Sequence, residues 1–140
     1  MPYVLSKLTP NLVVADLQRS LAFYRDVLGF TVAMAVPDDP PHVFAALQSG
    51  LVDIFLNARE SAVSEYPAFA DRPLGGTLTL FIDVQRIHDV YDSLRSRVKI
   101  VMPIEKKWYG VTEFAFEDPD GTSSRSPSRT HRESHTHHAN

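Results

Sequence analysis

Between Asn11 and Phe30 the chain reads NLVVADLQRSLAFYRDVLGF, in which Leu12, Val13 and Val14 form a short β-branched apolar run ahead of Asp16. Leu17, Leu21, Tyr24 and Leu28 then recur at i, i+4, i+7 and i+11, with Gln18, Arg19, Arg25 and Asp26 on the other side. The pattern predicts a strand over 8–14, a helix capped by Asp16 and closed at Gly29, and a second strand over 30–36. Asp38-Asp39-Pro40-Pro41 cannot continue a ladder and marks a turn, after which 43–48 and 51–57 read as a hairpin across Ser49-Gly50. The first half is β-α-β-β-β over 8–57.

Residues 58–76 hold Pro67, Pro73 and the Gly75-Gly76 pair and read as a linker. The pattern then restarts. Residues 77–82 alternate and meet Asp83 at a cap position, and Ile87, Val90, Tyr91 and Leu94 supply a second helical stripe. Asp16-Leu17-Gln18-Arg19 matches Asp83-Val84-Gln85-Arg86, and Tyr24 matches Tyr91 at the same distance, which argues for two copies of one unit. Strands follow over 98–102 and 111–116, the second closed by the turn Asp118-Pro119-Asp120-Gly121. Residues 122–140, TSSRSPSRTHRESHTHHAN, contain Ala139 as their one aliphatic side chain and read as a disordered tail. On this reading the second half lacks its final strand, and the domain ends at 121. Four of the six histidines, His131, His135, His137 and His138, fall in the tail at spacings that collect Zn or Ni ions.

Composition narrows the function classes. A chain of 140 residues that is 44% hydrophobic and 22% charged forms one globular domain, and a net charge of −3 does not suit a nucleic-acid or membrane surface. No cysteine is present, so a disulfide framework and a catalytic thiol are excluded. No apolar run reaches a membrane span and no secretory leader is evident, so a soluble cytoplasmic protein is expected. The serines lack a nucleophile elbow and no glycine pattern forms a phosphate loop.

The segments Val14-Ala15-Asp16-Leu17, Phe23-Tyr24 and Leu28-Gly29-Phe30, the run GVTEFAFEDPDG at 110–121 and the two-fold repeat together resemble the vicinal oxygen chelate superfamily of glyoxalase I, extradiol dioxygenases and bleomycin-resistance proteins. The resemblance implies an α+β fold of two βαβββ repeats forming a curved mixed sheet around a small-molecule cleft, here with the final strand of the second repeat missing, and a homodimer. It also implies, for the family's enzymes, a divalent metal held by His and Glu. The corresponding first-strand positions here are Thr9 and Thr77, and the first-half carboxylate position is Asp53, a set too poor in donors to hold a catalytic metal.

Strand parity assigns side chains to the cleft. Thr9, Asn11 and Val13 come from the first strand, Asp53 and Phe55 from the hairpin, Thr77, Thr79 and Phe81 from the second half, and Glu113 from its last strand, with Trp108 and Tyr109 on the loop above. Leu78, Leu80 and Ile82 point the other way, under the helix. Tyr24 and Tyr91 belong to the core, and His42 and His88 to the surface. The candidate ligand-binding set is thus Thr9, Asn11, Asp53, Phe55, Thr77, Thr79, Phe81, Trp108, Tyr109 and Glu113. It suits a partly aromatic organic ligand, with cationic ones among the candidates. The expected function is metal-free binding and sequestration of such a molecule. The alternatives are a metal-dependent lyase, isomerase or dioxygenase of the same superfamily using Asp53, and a truncated remnant without activity.

Overall fold

Asp16 does what its position predicts. Its Oδ1 accepts the N–H of Arg19 at 3.1 Å, and helix α1 (Leu17–Ala22) starts there directly after strand β1 (Asn11–Val14). The computed structural model describes residues 3–128, so the tail histidines lie outside the described residues. Two units divide the chain after Arg72.

In the first unit, β1 and α1 are followed by β2 (Thr31–Val36), β3 (Phe44–Ser49), β4 (Val52–Ala58) and α2 (Arg59–Glu65). The helix predicted to run to Leu28 instead widens at Phe23–Val27 into a π-helical turn, which holds the buried Tyr24 edge-on between the rings of Phe23 and Phe30. The strand order is β1-β4-β3-β2, with β1 parallel to β4 and the other pairs antiparallel. Leu12, Val14, Leu47, Ile54 and Leu56 share one face and are buried, with Leu17, Leu21 and Tyr24 as their helical counterparts. The segment predicted as linker is partly ordered. Its start is α2, which buries Ala62 and packs on β4 and β1, and a 3-10 turn follows over Pro67–Asp71.

The second unit repeats the topology. It contains β5 (Thr79–Phe81), α3 (Ile87–Leu94), β6 (Lys99–Lys106), β7 (Thr112–Glu117) and β8 (Ser123–Ser128), in the order β5-β8-β7-β6. Ile87 and Leu94 of α3 are buried, Tyr91 meets Phe114 edge-on at 5.1 Å, and Leu80, Phe114 and Phe116 complete this core. Asp83 does not cap α3. That helix begins after Arg86, whose backbone is left-handed and whose side chain makes no cap, so the match to Asp16 holds in sequence and not in structure. Thr77 also has positive φ, which shortens β5 and leaves Leu78 exposed instead of under the helix.

The missing strand is present. Residues 123–128, assigned from sequence to a disordered tail, form β8, paired antiparallel with β7 and parallel with β5. The Asp118 carboxylate makes this return possible by accepting the N–H groups of Asp120 and Thr122, each at 2.9 Å. A Cβ on Gly75 would sit 2.4 Å from the Asp120 carbonyl oxygen, so the glycine there serves a close approach to this turn. SSRSPS lacks strand formers, but a strand between two neighbours is held by its backbone, and small side chains suit the space under α3, where Ser124 and Ser126 are buried. Pro127 costs little because its carbonyl faces the β5 side, where Val84 donates to it and β5 has already ended, so its absent N–H leaves no gap in the ladder to β7.

Ending the chain at Gly121 is therefore expected to remove more than about 4 kcal/mol, beyond the cost of most single substitutions, because β5 loses its ladder partner. Thermal melts followed by circular dichroism, with amide dispersion, check this. An unchanged cooperative midpoint in the shortened chain contradicts it.

Candidate functional site

On the first sheet, register rather than sequence proximity assembles the face opposite its buried leucines. Asn11 pairs with Phe55, Phe55 with Ala46, and Asp53 with Gln48. Phe55 lies edge-on to Phe44 at 5.1 Å, and Thr9 is half-buried just before β1. Asp53 is ion-paired with Lys7 at 2.8 Å. Asn57, on the same face, is buried, and its Oδ1 has no hydrogen-bond partner among the described residues.

On the second sheet the corresponding face is built around a side chain that the sequence reading left in the tail. Arg125 of β8 lies directly opposite Phe81 of β5, with its guanidinium carbon 5.5 Å from the ring centroid. Across β7 its register partner is Ala115, which places Glu113 on the diagonal. Arg125 Nη2 donates to Glu113 Oε1 and also to the Tyr109 hydroxyl at 3.0 Å, while that hydroxyl donates to the same carboxylate oxygen. Tyr109 comes from the loop between β6 and β7, where Gly110 has positive φ and its N–H returns to the Lys107 carbonyl at 3.0 Å. Trp108 stands edge-on to Tyr109 at 5.1 Å.

Burial separates the roles. Glu113 is 2% exposed, whereas Tyr109, Phe81 and Trp108 are 45%, 60% and 93% exposed. Burial pushes the Glu113 carboxyl up, but the hydrogen bonds from Arg125 and Tyr109 and the charges of Arg125 and Lys107 outweigh it and hold the group below its ordinary value. The hydrogen bond to Glu113 raises both Tyr109 and Arg125, so phenol and guanidinium keep their protons at neutral pH. Glu113 is an ionised, fully engaged support under an aromatic surface. It is not a free base, nor a carboxylate open to an incoming cation.

Thr79 joins this face through its register partner Ser123, next to the Phe81–Arg125 pair. Thr77 does not, because its left-handed backbone takes it out of the strand. The structure thus groups Asn11, Asp53 and Phe55 on one sheet and Thr79, Phe81, Tyr109 and Glu113 on the other, with Trp108 at the loop tip. Arg125 was missed because TSSRSPS carries no apolar periodicity. The signal available was a polar segment following an Asp-Pro-Asp-Gly turn, which returns a chain to its own sheet.

A divalent ion of the kind the fold suggests does not suit these residues. The first sheet offers Thr9, Asn11 and an Asp53 already engaged by Lys7, and β8 presents Ser123, Arg125 and Pro127 on the face in question. The Arg125 guanidinium on that face repels a cation. Among the described residues no group of three or more His, Cys, Asp or Glu side chains is placed to hold a metal.

Comparison with known proteins agrees with the fold. A bleomycin resistance protein of Geobacillus stearothermophilus is 29% identical over 121 residues, spanning 79% of this chain and 87% of that protein. The crystal structure of a protein of unknown function from Agrobacterium tumefaciens str. C58 superimposes with a TM-score of 0.75 at 20% identity, covering 90% of this chain and 95% of the other. A glyoxalase/bleomycin resistance protein/dioxygenase from Nocardioides gives 0.73 at 21% identity, covering 91% and 85%. The family profile itself matches residues 5–123, and with the two βαβββ units it establishes that the chain belongs to the glyoxalase/bleomycin resistance protein/dioxygenase superfamily.

Proposed function

We propose that this protein binds and sequesters a small, flat, largely aromatic organic molecule without a metal, on the face of the second sheet framed by Phe81, Trp108, Tyr109 and Arg125. The observation that carries the reading is the Tyr109–Glu113–Arg125 cluster, in which a buried carboxylate is spent on holding an arginine and a tyrosine in place while aromatic surface stays open. Such a surface gains by stacking and by guanidinium–π contact, and its buried carboxylate, Glu113, is internally neutralised. The relatives named bleomycin resistance protein support a sequestering role over a catalytic one. The donor set supports the metal-free form. The same reading includes a homodimer, supported by Met34, Val36 and Val101, which leave apolar area on the edge strands β2 and β6.

Trp108 is the sole tryptophan, so its emission reports on the site. Titration of chelator-treated protein with bleomycin and with a series of planar heteroaromatic compounds is expected to give saturable quenching by at least one of them. Phe81→Ala or Arg125→Gln should weaken that binding about tenfold, the equivalent of one lost aromatic or charge-assisted contact. Binding that requires added Zn, Ni or Fe(II), or no saturable binding at all, contradicts the proposal.

The ion pair also predicts an acid dependence. The folded Glu113 value lies below that of the unfolded chain, about 4.3, so its contribution is complete above that value and disappears as pH falls through the folded one. Glu113→Gln should cost about 2 kcal/mol at neutral pH, in the range for hydrogen bonds to charged groups. Urea midpoints measured at pH 7 and pH 3 should show the gap between wild type and variant shrinking on acidification. A gap independent of pH rules out the carboxylate as its source.

A further inference from the structure

On the helix side of the second sheet, the β6–β7 hairpin and the start of α3 border an open cavity of about 450 Å³. It is distinct from the aromatic face, because Lys106 and Thr112 are opposite each other in register on the same sheet face as Ser128, one position out of phase with Glu113 and Arg125. Its wall brings together Arg86 and His88 from the start of α3, Lys106 from the end of β6 and Thr112 from the start of β7, with Asp89 as the one acidic member. We infer that this cavity is a second binding site, for the phosphate group of a small phosphorylated metabolite.

Two observations carry the inference. The first is convergence: two segments far apart in sequence contribute Arg86, His88, Lys106 and Thr112 to the lining of one concavity. Guanidinium and ammonium groups are the side chains that recognise phosphate, one through a two-pronged fork and the other as a point charge. The second is that these cations are not consumed inside the protein. Among the described residues, the side chains of Arg86, His88 and Lys106 make no ion pair or hydrogen bond, whereas the neighbouring Lys107 is held by Glu105 at 2.9 Å and Lys99 by Glu117 at 3.5 Å. Ile87 is buried behind them and supplies an apolar wall. Two permanent positive charges against Asp89 leave the site net cationic in a chain that is net negative, −3, as a whole. The volume accommodates a phosphate together with a sugar-sized remainder. A tetrahedral dianion uses three or four donors arriving from different directions, whereas a planar carboxylate is satisfied by one fork.

The test is amide NMR of the full chain titrated at constant ionic strength with ribose 5-phosphate, inorganic phosphate, ribose and acetate. Saturable shifts centred on residues 86–89, 106 and 112 are expected for both phosphates and for neither ribose nor acetate. The exposed double substitution Arg86→Gln with Lys106→Gln should weaken ribose 5-phosphate binding about tenfold or more, while Lys99→Gln leaves it unchanged. The spectra themselves report whether each variant remains folded. Shifts that never saturate, an unaltered response in the double variant, equal binding of acetate, or shifts centred on Phe81 and Tyr109 would each overturn the assignment.

Discussion

Backbone hydrogen bonding by β8 is the constraint on which the second unit depends. In the order β5-β8-β7-β6, the strand contributed by Ser123–Ser128 is the sole link between β5 and the rest of the sheet. Its side chains add little hydrophobic driving force. What holds it is the ladder on both edges and the fit of serines beneath α3, while the apolar burial is carried by Leu80, Ile87, Leu94, Phe114 and Phe116 around it. One central strand can be chemically plain when its neighbours are not.

The same strand delivers the charge around which the candidate site is organised. A buried glutamate without a partner would carry a heavy desolvation cost, and Arg125 removes it from two positions away across the β7–β8 ladder. Tyr109 shares the carboxylate oxygen and so ties the tip of the β6–β7 hairpin to the sheet. The exposed aromatic side chains therefore rest on a cross-braced support, which lowers the ordering cost of any flat molecule that settles on them.

How much of this was legible in the sequence follows from where hydrophobic periodicity was strong. The Asp16 cap, the α1 stripe, the hairpin and the repeat were readable because branched and aromatic residues recur there at helical or alternating spacing. Thr79, Phe81 and Glu113 could be placed on one face by parity alone, and Tyr109 on the loop above it. Thr77 could not, since its left-handed backbone has no marker in a threonine, and Asp83 imitates Asp16 without capping because Arg86 intervenes. The α2 segment was hidden by its proline and glycine neighbours. β8 and Arg125 were hidden because a strand defined by its partners leaves no pattern of its own.

The pairing of β5 with β8 also bears on how the unit forms. Its first strand has as its ladder partner its last, so as the chain emerges during synthesis β5 must wait for nearly the whole unit before its backbone is satisfied. Such distant pairing is slow compared with the closing of a hairpin such as β6–β7, and until it occurs Leu80 and the underside of α3 remain open to solvent. The period in which this half of the molecule is vulnerable to mispairing or proteolysis is set by the arrival of six mostly polar residues.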